Sequence, residues 1–138
     1  MEKPWLEFYD DGVPHTLDYP DVPLHWFLEE SARKYPDTLA SIMPGQFGDT
    51  KLTFKEVDEL ANRLASALID LGVRKGDRVA LYMPNCPQFL IAYYAILKAG
   101  AVVVATSPLY SPREVEHQLN DSGAESIILL SMFYELVR

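Results

Sequence analysis

Cys86 and His117 are the two side chains whose types most readily suggest catalysis in this chain of 138 residues. A thiol at a helix N-terminus is acidified by the helix dipole and can act as a nucleophile, and Cys86 directly precedes the apolar run that begins at Pro87. No base can be assigned beside it, so a small packing or capping residue is the reading that its surroundings favour. His117 has Glu114, Glu116 and Asp121 near it in sequence, an arrangement that suits proton transfer and equally suits the solvated face of an amphipathic helix. Cys86 is the single cysteine, and His15, His25 and His117 are scattered, so neither a disulfide framework nor a structural zinc site is expected. Neither the P-loop pattern nor the dinucleotide glycine fingerprint occurs; Gly72 and Gly76 read as a turn between helix and strand. More promising is the loop Thr106-Ser107-Pro108-Leu109-Tyr110-Ser111. It follows a β-branched run and so lies at the carboxyl end of a strand, where open α/β sheets place ligands. Tyr110 either faces such a ligand or packs on the sheet.

The elements that must hold these residues can be read from periodicity. Pro23 to Lys34 has Leu24, Phe27, Leu28 and Ser31 on one helical face, with Asp21 as an N-cap and Tyr35-Pro36-Asp37 as the stop. Leu39 to Met43 and Lys51 to Thr53 read as a hairpin around the turn-rich stretch from Pro44 to Asp49. Thr53-Phe54-Lys55-Glu56 has the form of a capping box. Apolar residues then recur at helical spacing from Phe54 to Leu71, and Gly72 stands where a left-handed residue closes the helix.

From Arg78 onward strand and helix alternate. Val79 to Met83 is a short apolar strand, and Gln88 to Ala99 is an almost wholly apolar helix ended by Gly100. Ala101 to Ala105 neither alternates nor admits charge, as befits a strand covered on both faces, and is expected to be central. Ser111-Pro112-Arg113-Glu114 repeats the capping box with proline at the first helical position, opening a helix to about Ser122 before Gly123. Ser126 to Leu130 supplies the third strand. Two consecutive βαβ units follow, and with them an α/β fold with a mostly parallel sheet, a small hairpin and an N-terminal arm.

Composition fits this. Hydrophobic residues make up 49% and charged residues 23%, a globular balance. The net charge of −8 argues against a nucleic-acid footprint and a polybasic membrane anchor. Most of it lies in residues 1–50, which hold ten acids against three bases and six of the ten prolines. Residues 1–22 are therefore read as an extended acidic arm and 23–138 as the packed α/β part. Phe89 to Ala105 carries one charge and approaches the length of a membrane span, but Lys98 near its middle and Gly100 followed by three valines mark a change from helix to strand, so no span is expected. Met1-Glu2-Lys3-Pro4-Trp5 leads into acidic residues rather than an apolar signal core, which sets a cytoplasmic expectation. At the other end, Ser131 reads as the N-cap of a helix that has just begun, and the whole as a fragment of a larger domain.

Several stretches are familiar as a set. Leu52-Thr53-Phe54-Lys55-Glu56-Val57, followed by Glu59-Leu60-Ala61-Asn62-Arg63-Leu64-Ala65, resembles the first core motif of the adenylate-forming superfamily, which includes acyl-CoA synthetases, luciferases and the adenylation domains of peptide synthetases. Gly76-Asp77-Arg78-Val79-Ala80 matches the next stretch, and Leu97-Lys98-Ala99-Gly100-Ala101-Val102-Val103-Val104 is similar to the second core motif. Lys3-Pro4-Trp5-Leu6, Pro84-Asn85-Cys86-Pro87-Gln88 and the run from Pro108 to Gly123 look most like a long-chain fatty acid–CoA ligase. One departure is Ser107, where relatives commonly have asparagine before the proline.

The resemblance implies a parent enzyme that uses ATP and Mg²⁺ to convert a fatty acid into an acyl-adenylate and then transfers the acyl group to the thiol of CoA. In such reactions the transition state is stabilised by groups that cradle phosphates. The family's phosphate loop ending in Pro-Lys-Gly, its Thr-Glu motif, its ribose-binding aspartate and the lysine of its small C-terminal domain have no counterpart within 1–138. The isolated chain is thus expected to be inactive, to bind none of these cofactors tightly and to hold no metal. A non-catalytic interaction or dimerisation module, half of a split enzyme, and a ligase for an aryl or amino acid are the alternatives. The partners implied are fatty acid and CoA, with a homodimer or a separately encoded remainder of the enzyme, in the cytoplasm or peripheral at membranes. The basic position before Ala-Gly and the loop after the second motif lie near the CoA nucleotide in the family, which maps to Lys98, Ser107 and Tyr110. Lys98 also reads as a cation favourably placed at a helix C-terminus.

Overall fold

The computed structural model describes residues 3–46 and 48–137. Met1, Glu2, Phe47 and Arg138 lie outside the described residues. A 3₁₀ turn over Pro4–Phe8 is followed by α1 (His25–Lys34), β1 (Leu39–Met43), β2 (Thr50–Thr53), α2 (Phe54–Asp70), β3 (Arg78–Tyr82), α3 (Pro87–Lys98), β4 (Val102–Thr106), α4 (Pro112–Ser122), β5 (Ser126–Leu129), a second 3₁₀ turn at Ser131–Phe133 and α5 (Tyr134–Val137).

Both capping boxes form. Glu56 N–H donates to Thr53 Oγ1 at 3.2 Å while Thr53 N–H donates to Glu56 Oε2 at 2.8 Å, and Ser111 N–H donates to Glu114 Oε2 at 2.8 Å. A helix start leaves amide donors without intrahelical partners, so each pair fixes where its helix begins. Gly72 adopts φ +104°, which ends α2 in a conformation that side-chain-bearing residues rarely adopt. Thr53→Ala is expected to cost about 1 kcal/mol, read as a fall of about 3–5 °C in the thermal unfolding midpoint; an unchanged midpoint would show that packing alone sets the start of α2.

The hairpin is antiparallel, with Met43 opposite Thr50 and Ile42 opposite Lys51. The second sheet is parallel and runs β4-β3-β5. Leu81 lies opposite Ala105 on one side and Ile128 on the other. The central strand is therefore β3, not the β-branched β4. Val79, Ala80, Leu81 and Tyr82 are fully buried, whereas Val102 is 49% exposed. A run of valines and alanines signals strand structure and apolar surroundings but not order, because order is set by where each crossover helix carries the chain.

Alternation along the strands builds two faces. Val79, Leu81 and Met83 of the β3 segment, with Val103 and Ile128, pack against Ala65 and Leu68 of α2 and Ala92, Ala95 and Ile96 of α3. The opposite face, with Tyr82 and Val104, meets Phe133 and α4, whose Val115 is buried. A second cluster joins Leu28 of α1 to Val57 and Ala61 of α2, with Leu52, Leu90 and Tyr94 around it. Since α3 lies between the two clusters, it needs apolar residues on nearly all sides. At twelve residues it is too short for a bilayer, and among the described residues no helix is long and apolar enough to cross a membrane.

Two expected helix starts shift. α1 begins at His25, and its N-cap, Leu24, has no side-chain oxygen to offer; Asp21 does not cap it. Of the expected apolar face only Leu28 is buried, while Leu24 and Phe27 are 50% and 45% exposed. Ser131 lies inside a 3₁₀ turn whose N-cap is Leu130, so it does not cap the last helix.

Candidate functional site

The carboxyl ends of β3 and β4 open into a recess of about 540 Å³. Met83, Pro84 and Asn85 form one wall and Thr106 to Tyr110 the other, with Phe89 of α3 at the base. Proline at 84 and 108 limits the freedom of both loops, and Leu109 N–H donates to Ser107 Oγ at 3.3 Å, which ties the second loop at its tip. Tyr110 is 39% exposed and lines the recess, as does Ser107. Thr106 is buried and donates to the carbonyl of Val104 at 3.3 Å. The lining is chiefly apolar, with Asn85, Ser107 and Tyr110 as polar points, a composition suited to an uncharged organic moiety. It contains neither lysine nor arginine, so the residues present do not fit a triphosphate. Among the described residues no three His, Cys, Asp or Glu gather as a metal site.

Lys98 is not brought together with Ser107 and Tyr110. It ends α3, on the far side of β4 from the recess, about 16 Å of strand away at about 3.3 Å per residue. Its ammonium meets Glu29 Oε1 at 2.8 Å, Asn62 Oδ1 at 2.8 Å and Asp58 Oδ1 at 2.9 Å. An ammonium has three N–H donors; Glu29 and Asn62 accept two of them, and Asp58 Oδ1 stands within ion-pair distance without a well-directed hydrogen bond. Asn62 Nδ2 in turn donates to Asp58 Oδ2 at 3.1 Å, closing the network. The Lys98 side chain is 7% exposed. Burial alone would lower its pKa, but pairing with the Glu29 and Asp58 carboxylates, which neutralise the ammonium, outweighs that and raises it above the ordinary lysine value. The group joins α1, α2 and α3 and goes beyond the helix-dipole role expected of it. Asp58 and Asn62 went unnoticed in the sequence, although their spacing of four, one residue beyond Val57 and Ala61 on the buried stripe, marks them as facing a neighbouring helix.

The remaining candidates lie elsewhere. Cys86 is the N-cap residue of α3 and packs, half-buried, against the larger core cluster. His117, Glu116 and Asp121 are exposed on α4. Glu114 is held by the Ser111 amide and hydroxyl, which lower its pKa and keep it ionised, unsuited to donating a proton.

A three-stranded parallel sheet, crossover helices and a ligand-sized recess at the strands' carboxyl edge define an α/β domain of the ligand-binding type. Comparison with known proteins narrows the class: a family model described as AMP-binding enzyme matches residues 28–136, and the chain belongs to that family. It is 43% identical over 133 residues to a long-chain-fatty-acid–CoA ligase of Bacillus subtilis, a match covering 96% of this chain and 23% of that protein. Among solved structures, the N-terminal domain of FACL13 from Mycobacterium tuberculosis matches with a TM-score of 0.78 at 34% identity, over 84% of this chain and 29% of that one. The N-terminal subdomain of Klebsiella oxytoca NpsA, in complex with 3-hydroxybenzoyl-AMSN, matches with a TM-score of 0.72 at 28% identity, over 78% and 26% respectively. The chain thus spans about a quarter of the length of the relatives it matches.

Proposed function

We propose that the chain is the N-terminal part of an ATP-dependent fatty acid–CoA ligase and that by itself it catalyses neither acyl-adenylate formation nor transfer to CoA. The observation that supports this most directly is the recess at the sheet edge: it is large enough for an organic substrate and has no cation with which to hold phosphates. In this reading Ser107 and Tyr110 touch an uncharged portion of CoA or of the acyl group, and Lys98 supports the scaffold on which their loop stands. The complete enzyme works in the cytoplasm and meets the membranes that supply its acyl substrate peripherally.

Fatty-acid-dependent exchange between ATP and labelled pyrophosphate tests the proposal. The purified 138-residue chain is expected to give background exchange with palmitate, and the chain extended to the length of its relatives to give turnover. Exchange by the 138-residue chain would overturn the reading. Exchange by the extended chain with 3-hydroxybenzoate or an amino acid instead of palmitate would move the substrate class and keep the family.

An interaction module is the second reading, favoured by a groove of about 740 Å³ between α2, β5 and α5, lined by Leu64, Leu68, Val79, Ile128, Tyr134 and Val137 among others. An apolar groove beside an outer strand is a template for association. Under this reading the chain self-associates or captures a separately encoded remainder; a monodisperse monomer by light scattering at high concentration would count against self-association.

A further inference from the structure

We draw no further inference here: the strongest candidate, the recess of about 390 Å³ between β1 and the start of α3 that Cys86 lines, rests on a lone cysteine at a helix N-terminus, and none of the described residues that line it offers a base or an unpartnered buried polar group that would point to a ligand.

Discussion

Leu81→Ala is expected to destabilise the domain by about 3–4 kcal/mol, and Val102→Ala by less than about 1 kcal/mol, in urea unfolding followed by circular dichroism. Leu81 has no exposed surface. It stands between Ala105 and Ile128 in the sheet and packs in the cluster that contains Ile96, Ala92 and Met83. Truncation there removes buried methyl groups and leaves a cavity whose walls belong to two helices and three strands, so little relaxation is available. Val102 is the first residue of a strand with no partner on its outer side among the described residues, and about half its surface already meets water. Against a typical stability of about 5–15 kcal/mol, the first change is a large fraction and the second is small. The slope of stability with urea should be the same in both variants, since it follows the surface exposed on unfolding. A larger loss at Val102 than at Leu81 would contradict the strand order β4-β3-β5.

That experiment addresses strand order, where the sequence misled about the sheet. Local signals that came as pairs or as glycine proved accurate, whereas the lone caps Asp21 and Ser131 did not: Thr53 with Glu56, Ser111 with Glu114, and Gly72 each place a helix end through hydrogen bonds or backbone conformation that involve neighbours only. The alternation of strand and helix from Arg78 onward was equally legible. Strand order was not, because Val79 to Met83 and Ala101 to Ala105 are both short apolar runs, and nothing within either run records on which side of it the next crossover returns.

The site divides in the same way. The loop from Thr106 to Ser111 was legible as a connection at the carboxyl edge of the sheet because position at a strand's end is a local property once the strand is recognised. Its opposite wall, from Met83 to Asn85 with Phe89, is brought there by the pairing of β3 with β4, which is a tertiary fact. The partners of Lys98 were hidden for the same reason: Glu29 is 69 positions away and Asn62 is 36.

Those partners make Lys98→Met the second large effect, a loss of about 2–3 kcal/mol. Removing one member of a buried ion pair costs about 3–5 kcal/mol because the other charge is left uncompensated. The cost is smaller here because Glu29 is 44% and Asp58 20% exposed, so water recovers part of their solvation. Glu29→Gln alone should cost under about 1 kcal/mol, as exposed pairs do. Lys98→Met/Asp58→Leu should be more stable than Lys98→Met by about 1–2 kcal/mol, because the uncompensated carboxylate is gone and apolar surface replaces it. pH supplies an independent readout. The folded state raises the Lys98 pKa, so it holds that proton more tightly than the unfolded chain does. The stabilisation is then fully present below the ordinary lysine value of about 10.4 and is lost as pH rises through the higher folded value. Wild-type protein should lose stability over that alkaline range, and Lys98→Met should lose less. Equal alkaline slopes would mean that the ammonium is not held by its three oxygens in solution. In the extended enzyme, Lys98→Met should lower the unfolding midpoint while leaving KM for CoA within about twofold, because the charge of Lys98 is already balanced by the Glu29 and Asp58 carboxylates. A tenfold rise in KM at temperatures where the variant stays folded would return Lys98 to the CoA site.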